Sequence, residues 1–308
     1  MKNTIPAGWR IIHAARGDIE RVTHFLARCD TAYFGAPDTT LADMEYEWSR
    51  PGFDPTKHAI LLLTDSDVLA GYSDIHFDGE EIYISHNTVI HPDFAEGIDC
   101  TIFYEIAEEE ARKTGGICKI RTISIREESS QILMQSGYSP IQTQYRMVKD
   151  ISGPLDSPKL QAEYAFLPFN REQDAYEVFE VIENAFRELP HRKGNTFEGW
   201  QEHILNRKDF DPTLLWTVRK QGEIAGVGIG FDDPIGGWVR QLAVKKPHRG
   251  KGIALAILQK AFLEFRQRGR STVGLTVDSE NATGAPQLYI HAGMKQTEKY
   301  VTFVKTLS

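Results

Sequence analysis

Two parts of this chain, about 155 residues apart, follow the same pattern, and a repeat that long makes each copy a folding unit in its own right. "FDPTKHAILLLTDSDVLAGYSDIHFD" (53–78) runs beside "FDPTLLWTVRKQGEIAGVGIGFD" (210–232), with Phe-Asp-Pro-Thr at both starts, Ala-Gly inside and Phe-Asp at both ends. Each reads as a β-hairpin, turning at "DSD" or "QGE". "IYISHNTVIHPDFAEGIDCTIFYEIAEEEARKTG" (82–115) then parallels "WVRQLAVKKPHRGKGIALAILQKAFLEFRQRG" (238–269) as a strand, a proline-bearing turn and a long helix. In the second copy Ile253, Leu255, Ala256, Leu258, Phe262 and Phe265 form one apolar helical stripe. "SSQILMQSGY" (129–138) and "APQLYIHAGM" (285–294) are short helices closed by glycine and followed by a strand. Each half is therefore a β-α-β-β-β-α-β-α-β unit.

"KDISGPLDSPKL" (149–160) lies between the copies and carries two prolines, a glycine and two serines without apolar periodicity, which is how a linker reads. The expected division is a first domain over 1–150, a linker over 151–160 and a second domain over 161–308. A hydrophobic fraction of 41% with 25% charged residues supplies enough apolar material for two globular cores.

A formal charge of −8 argues against broad nucleic-acid binding, which needs a dominant cationic face. Cys29, Cys100 and Cys118 form no C-x-x-C pair, so neither a disulfide framework nor a thiolate metal site is expected. His86 and His91 stand apart from any H-E-x-x-H pattern, and "EIAEEEARK" (105–113) reads as a solvated helix face, so no metal is expected. The start "MKNTIPAGWRII" lacks an apolar signal segment and no apolar run reaches the ~18 residues of a membrane span, so the expected location is the cytoplasm, with no membrane partner.

Chemistry concentrates in "KKPHRGKGIALAIL" (245–258), where a glycine-rich turn ends a strand and opens a helix. Such a turn aims several backbone N–H groups at one spot, where the helix dipole adds positive charge, and this favours a phosphate. A Cβ at Gly250 or Gly252 would hold the backbone away from that anion or resist the φ it requires. Lys245, Lys246, Arg249 and Lys251 add attraction. Ile253 follows Gly252 where a Walker A loop needs lysine and a hydroxyl, and G-x-G-x-x-G is absent.

With the strand "RQLAV" before it, this stretch resembles the acyl-CoA signature R/Q-x-x-G-x-G/A of the GNAT superfamily of N-acetyltransferases, here Arg249-x-x-Gly252-x-Ala254. "DSENATGAPQLYIHAGM" follows at a family-like distance, and the doubled arrangement resembles the tandem GNAT proteins, mycothiol synthase and its relatives among them. The resemblance implies an α/β (α+β) fold of two tandem GNAT domains, each with a mixed, mostly antiparallel central sheet flanked by helices. It implies acetyl-CoA as cosubstrate, bound by Leu242, Ala243 and Val244 of the strand, by Gly250, Lys251, Gly252, Ile253 and Ala254 with Arg249 at the turn, and by Asn281. It makes Tyr289 the acid that protonates the departing thiolate.

Carried onto the first half, the motif meets Phe94, Ala95, Glu96, Gly97 and Asp99, and Leu133 stands in place of Tyr289. With acids where phosphates would dock, the first half is expected to keep the fold without the chemistry, a weak, nonproductive CoA site being the alternative. The second half departs from the family at the strand position where many relatives carry a glutamate base, because Trp238 stands there. Asp232, Asp233, Asp278, Glu280 and His291 are the substitute bases, beside a water-mediated route. The segment 185–200, with Phe186, His191, Phe197 and Trp200, is expected to line the acceptor cleft or to pack as an irregular loop. The leading expectation is an N-acetyltransferase acting on a small-molecule amine, as a monomer or homodimer. The alternatives are a protein or peptide acetyltransferase and a non-catalytic acyl-CoA-binding regulatory module.

Overall fold

A computed structural model describes residues 5–78, 83–95, 98, 100–113, 118–188, 194–233, 236–281 and 283–307. The chain begins with β1 (Arg10–His13), α1 (Ile19–Phe34), α2 (Leu41–Ser49), α3 (Pro55–His58), β2 (Ala59–Leu63), β3 (Leu69–Asp78) and β4 (Tyr83–Ile90). It continues with α4 (Pro92–Ala95), α5 (Thr101–Arg112), β5 (Cys118–Ser124), α6 (Glu127–Gln135) and β6 (Ser139–Asp150). The second copy runs β7 (Ala165–Pro168), α7 (Arg171–Phe186), α8 (Phe197–His203), β8 (Leu215–Lys220), β9 (Glu223–Asp233) and β10 (Gly236–Val244). It closes with α9 (Ile253–Gln267), β11 (Thr272–Asp278), α10 (Ala285–His291) and β12 (Lys295–Leu307).

Two compact units result, residues 1–143 with 299–308, and residues 144–298. In the first, β1, β2, β3 and β4 pair antiparallel in turn, β4 pairs parallel with β5, and Val301–Leu307 of β12 pairs antiparallel with β5. In the second, β7, β8, β9 and β10 pair antiparallel, β10 pairs parallel with β11, and Gln144–Asp150 of β6 pairs antiparallel with β11. The two sheets share one topology, mixed and mostly antiparallel, with helices packed on them.

The units do not divide at the linker. The strand that ends each copy changes unit along its length, so the division falls between Thr143 and Gln144 rather than near Asp150, and residues 299–308 complete the sheet of the first unit. An apolar-polar alternation specifies a strand and its faces, but its partner is whichever open edge it meets.

In the second unit two cores cover the two faces of the sheet. Val239, Ile257, Leu258, Phe262 and Phe265 pack on the α9 side. Ile182, Trp200, Val227, Ile229 and Phe231 pack on the α7/α8 side. The buried stripe of α9 includes Ile257 and Ala261, while Leu255 sits at its flank, half-buried. Gly226, Gly228 and Gly230 alternate with the apolar residues of β9 and present a bare face to α9. A Cβ at Gly228 would lie 2.4 Å from Ile257 Cγ2. Gly228→Ala is therefore expected to lower stability by about 1–3 kcal/mol, as overpacked cores do, which a urea midpoint measures.

In the first unit the face of α5 read as solvated is not wholly so. Glu108 is buried and pairs with Lys305 at 2.7 Å and Arg112 at 3.1 Å, because β12 brings Lys305 over the helix. Cys29 and Cys118 are buried and Cys100 is half-buried.

Candidate active site

β10 and β11 open a split in the sheet of the second unit. Their parallel pairing covers Gly237 with Val273 and Trp238 with Gly274, and no further described pairs join them. β10 stays paired with β9 through Val244, with its register shifted between Val239 and Gln241. A bulge there kinks the strand and turns it away from β11, so from Gln241 to Val244 the described pairs of β10 are with β9 and none is with β11. The carbonyl of Val244 is engaged locally, accepting from Arg249 Nε at 3.0 Å.

The turn then follows the expected geometry. Gly250 and Gly252 have φ of +73° and +80°, the left-handed region, and a Cβ on either would meet nothing within 4 Å. Glycine is required there by conformation, and the space above it is open to a ligand. The first helical bond of α9 runs from Ala256 N to Gly252 O at 2.9 Å. The amides of Ile253, Ala254 and Leu255 therefore precede the helix ladder and face the opening.

The cations of the turn are less free than their sequence implies. Arg249 forms a bidentate pair with Glu188 at 2.9 and 3.0 Å, and Lys246 reaches the same carboxylate at 3.4 Å. The hydrogen bonds from Arg249 hold the Glu188 carboxyl below its ordinary range. Lys245 pairs with Glu177 at 3.0 Å and Glu223 at 2.8 Å. Lys251 donates to Tyr164 Oη at 3.2 Å, and that hydroxyl also meets His248 Nδ1 at 2.9 Å. Burial and the neighbouring Lys251 lower the affinity of His248 for a proton. The four cations of the turn are thus each engaged within the unit, and Arg249 ties the end of β10 to the chain after α7.

Tyr289 packs in the same cluster as Val244, Ile253 and Ile257, with Leu242 and Ala254 packed against it. This brings the predicted acid together with the split strand and the turn, whereas Ala243 belongs to the opposite face. Tyr289 is 8% exposed, and burial pushes its phenol up to about 12. Asn281 caps a turn, its Oδ1 accepting from Thr283 N at 2.9 Å and from Thr283 Oγ1 at 2.5 Å.

The α7/α8 face carries the other polar groups. Trp238 and Gln241 lie opposite Phe231 and Ile229 on β9, so their side chains share that face. Trp200 donates to Gln241 Oε1 at 3.1 Å. The Arg146 guanidinium sits 5.1 Å from the Trp238 ring and 3.6 Å from Glu298. Arg146 is buried and Glu298 largely so. Sequence reasoning misses both, since Arg146 belongs to the first copy by sequence and enters this unit only because β6 crosses over.

Among the substitute bases, Asp232 is paired with Arg270 and Asp278 is buried with Glu280 N on its carboxylate at 2.8 Å, while Glu280 and His291 are exposed. Phe197 and Trp200 lie on α8 rather than in an irregular loop, and pack with Phe179 and the exposed Tyr176 of α7 as an aromatic cluster. Glu96, Gly97, Asp99 and His191 lie outside the described residues. Phe94 is half-buried against Trp9, and Leu133 is fully buried. An open pocket of about 710 Å³ beside the start of α7, lined by Phe169, Arg171, Arg207 and Phe210, contains none of the predicted residues. Among the described residues no cluster of three His, Cys, Asp or Glu is placed to hold a metal ion, and no helix is long and apolar enough to cross a membrane.

Residues 175–294, from inside α7 to just past α10, match the acetyltransferase (GNAT) family. The chain carries a GNAT acetyltransferase domain. The GNAT fold extends over the whole chain, which superposes on a GCN5-related N-acetyltransferase from Sphaerobacter thermophilus with a TM-score of 0.80 and 26% identity, covering 98% of this chain and 97% of that one. A tandem GNAT protein from the clavulanic acid biosynthesis pathway shares the fold with a TM-score of 0.70 at 14% identity, over 97% of this chain and 98% of that one. A mycothiol acetyltransferase from Beutenbergia cavernae is 36% identical over 87 residues. That match spans 27% of this chain and 29% of the relative. The tandem GNAT architecture is therefore the fold of this protein.

Proposed function

We propose that the second unit transfers an acetyl group from acetyl-CoA to the amine of a small molecule by direct attack. The observation that carries this reading is the convergence of the split strand, the glycine turn and Tyr289 on one packed cluster. The partial likeness to a mycothiol acetyltransferase supports a small acceptor. The amides after Gly252 hold the pyrophosphate, and the edge of β10 around Leu242 aligns the pantetheine arm and acyl carbonyl. Asn281 keeps its side-chain NH₂ for the cofactor, since its Oδ1 is occupied. A neutral amine attacks the carbonyl carbon, the C–N bond forms, the C–S bond breaks, and the amine's extra proton leaves through water. Tyr289 donates to the sulfur as negative charge develops there.

The pH dependence follows from these groups. A phenol at about 12 keeps its proton at every pH below that, so raising the pH from 6 to 10 leaves the acid intact. With no carboxylate at Trp238, the rising limb belongs to the acceptor amine. kcat/KM is therefore expected to climb through the amine's own pKa and to show no alkaline fall before pH 10, in a profile taken over that interval. A decline above pH 9 would contradict Tyr289 as the acid.

Rates measured with a panel of small amines against a panel of peptides test the acceptor class. Small amines are expected to give the higher kcat/KM, and a preference for peptides overturns the reading. One observation favours a second reading. Trp238, packed against Arg146 and over Gly274, fills the place of the usual base, as suits a regulatory module that binds acyl-CoA without efficient transfer.

A further inference from the structure

In the second unit, the corner before α7 and the chain between α8 and β8 enclose the open pocket of about 710 Å³, within the range of about 300–1,000 Å³ that small-molecule sites occupy. Phe169, Leu205, Phe210 and Pro212 give it apolar walls, and Arg171 and Arg207 stand in the same lining. Neither Phe169 nor Phe210 has a ring partner among the described residues.

The two arginines differ in charge balance. Arg207 holds Asp209 in a bidentate pair, Nε to Oδ1 at 2.8 Å and Nη2 to Oδ2 at 2.6 Å, so its charge is offset. Arg171 donates to the Leu205 carbonyl at 3.1 Å and to Asn206 Oδ1 at 2.5 Å. Both acceptors are neutral, and among the described residues no carboxylate pairs with Arg171. Asn206 donates in turn to Glu202 at 2.6 Å, which fixes its amide with the oxygen toward Arg171. The pocket therefore carries one uncompensated, positioned guanidinium, in a chain whose formal charge is −8. The first amides of α7 are already capped, since Asn170 Oδ1 accepts from Glu172 N at 3.0 Å and Gln173 N at 3.2 Å.

The repeat supplies the comparison. Arg16 opens the first helical turn after β1, as Arg171 does after β7, and it meets Asp54 of the first Phe-Asp-Pro-Thr at 3.7 Å. Asp211 of the second Phe-Asp-Pro-Thr is held by Arg268 at 2.8 Å instead, which leaves Arg171 without that acid. Phe53 stacks on His76 at 4.5 Å, whereas its counterpart Phe210 lines the pocket. The corner is ion-paired and stacked in the first unit, and open and cationic in the second, so the fold itself does not require the second arrangement.

We propose that this pocket binds a small monocarboxylate with a flat apolar body, such as an aromatic acid. The carboxylate accepts two parallel N–H bonds from Arg171, whose planar fork matches it, and the body lies against Phe169 and Phe210. One uncompensated cation balances one negative charge, which favours a carboxylate over a phosphate dianion. The site uses no group of the glycine turn and does not depend on acetyl transfer.

The full chain is titrated with 4-fluorobenzoate and 4-fluorophenylacetate, and binding is read from the ligand's fluorine resonance. 4-Fluorobenzamide and 4-fluorobenzyl alcohol are the uncharged controls, and 4-fluorophenyl phosphate is the dianion. The carboxylates are expected to saturate one site, at least about tenfold more tightly than either uncharged control and more tightly than the phosphate ester. Arg171→Gln, at an exposed position, is expected to weaken carboxylate binding at least about tenfold and to leave acetyl-CoA affinity within about twofold. Saturating acetyl-CoA is expected to leave the carboxylate bound. If Arg171→Gln melts without cooperativity, the contrast between the carboxylates and the uncharged controls on the parent protein carries the test. Absence of saturation, equal binding of the uncharged controls, tighter binding of the phosphate ester, undiminished binding in folded Arg171→Gln, or displacement by acetyl-CoA overturns the proposal.

Discussion

Tyr289→Phe is expected to lower kcat on the order of 10²-fold, the usual scale for removing a positioned proton donor, while acetyl-CoA affinity changes little. The substitution deletes one oxygen from a side chain that is 8% exposed and belongs to the same core cluster as Val244 and Ile253. The ring is retained. No described group hydrogen-bonds the hydroxyl in the free protein, so its loss leaves no buried partner stranded, and stability stays near that of the parent. The raised phenol also limits what the acid does. At about 12 it lies above a thiol's ordinary ~8.5, so transfer to a fully formed thiolate is uphill, and Tyr289 acts chiefly as a hydrogen-bond donor while the C–S bond breaks. Steady-state kinetics beside calorimetric binding of acetyl-CoA measures the separation. An unchanged kcat at saturating substrates contradicts the role.

Gly252→Val is expected to act on the other half of the cycle. A residue with a Cβ at φ +80° costs roughly 1–2 kcal/mol relative to glycine, more when β-branched. Because the added atom meets nothing within 4 Å in the free protein, the thermal midpoint falls by only a few degrees. Binding suffers more. The turn relaxes toward negative φ, the amides of Ile253 and Ala254 swing off their common target, and the new side chain enters the space above them. Acetyl-CoA affinity is expected to fall at least about tenfold, equivalent to about 1.4 kcal/mol. Calorimetry on the folded variant measures this, and unchanged affinity removes the turn from the site.

The repeat, the order of elements and the glycine turn are legible in the sequence because they rest on local rules: periodicity for the strands and helices, and the φ demand for Gly250 and Gly252. Three features are not legible, each for a physical reason. The crossing of β6 and β12 depends on which sheet edge is open, which no local pattern encodes, and it moves Arg146 into the second unit, beside Glu298. The pairing of Arg249 with Glu188 joins residues 61 positions apart, so the turn looks more cationic in sequence than it is in space. Tyr72, Asp74 and His76 are buried on β3 where β9 places Val227, Ile229 and Phe231, and an ordinary strand alternation does not mark them.

Acetyl transfer by the second unit is tested most directly by following thiol release from acetyl-CoA with and without a panel of small primary amines, while weighing the amine products by mass spectrometry. Thiol release is expected to accelerate with at least one amine, in step with formation of the acetylated amine, and to slow on the order of 10²-fold in Tyr289→Phe. If acetyl-CoA binds and no amine raises thiol release above background hydrolysis, the protein is an acyl-CoA-binding module and the proposed transfer does not occur.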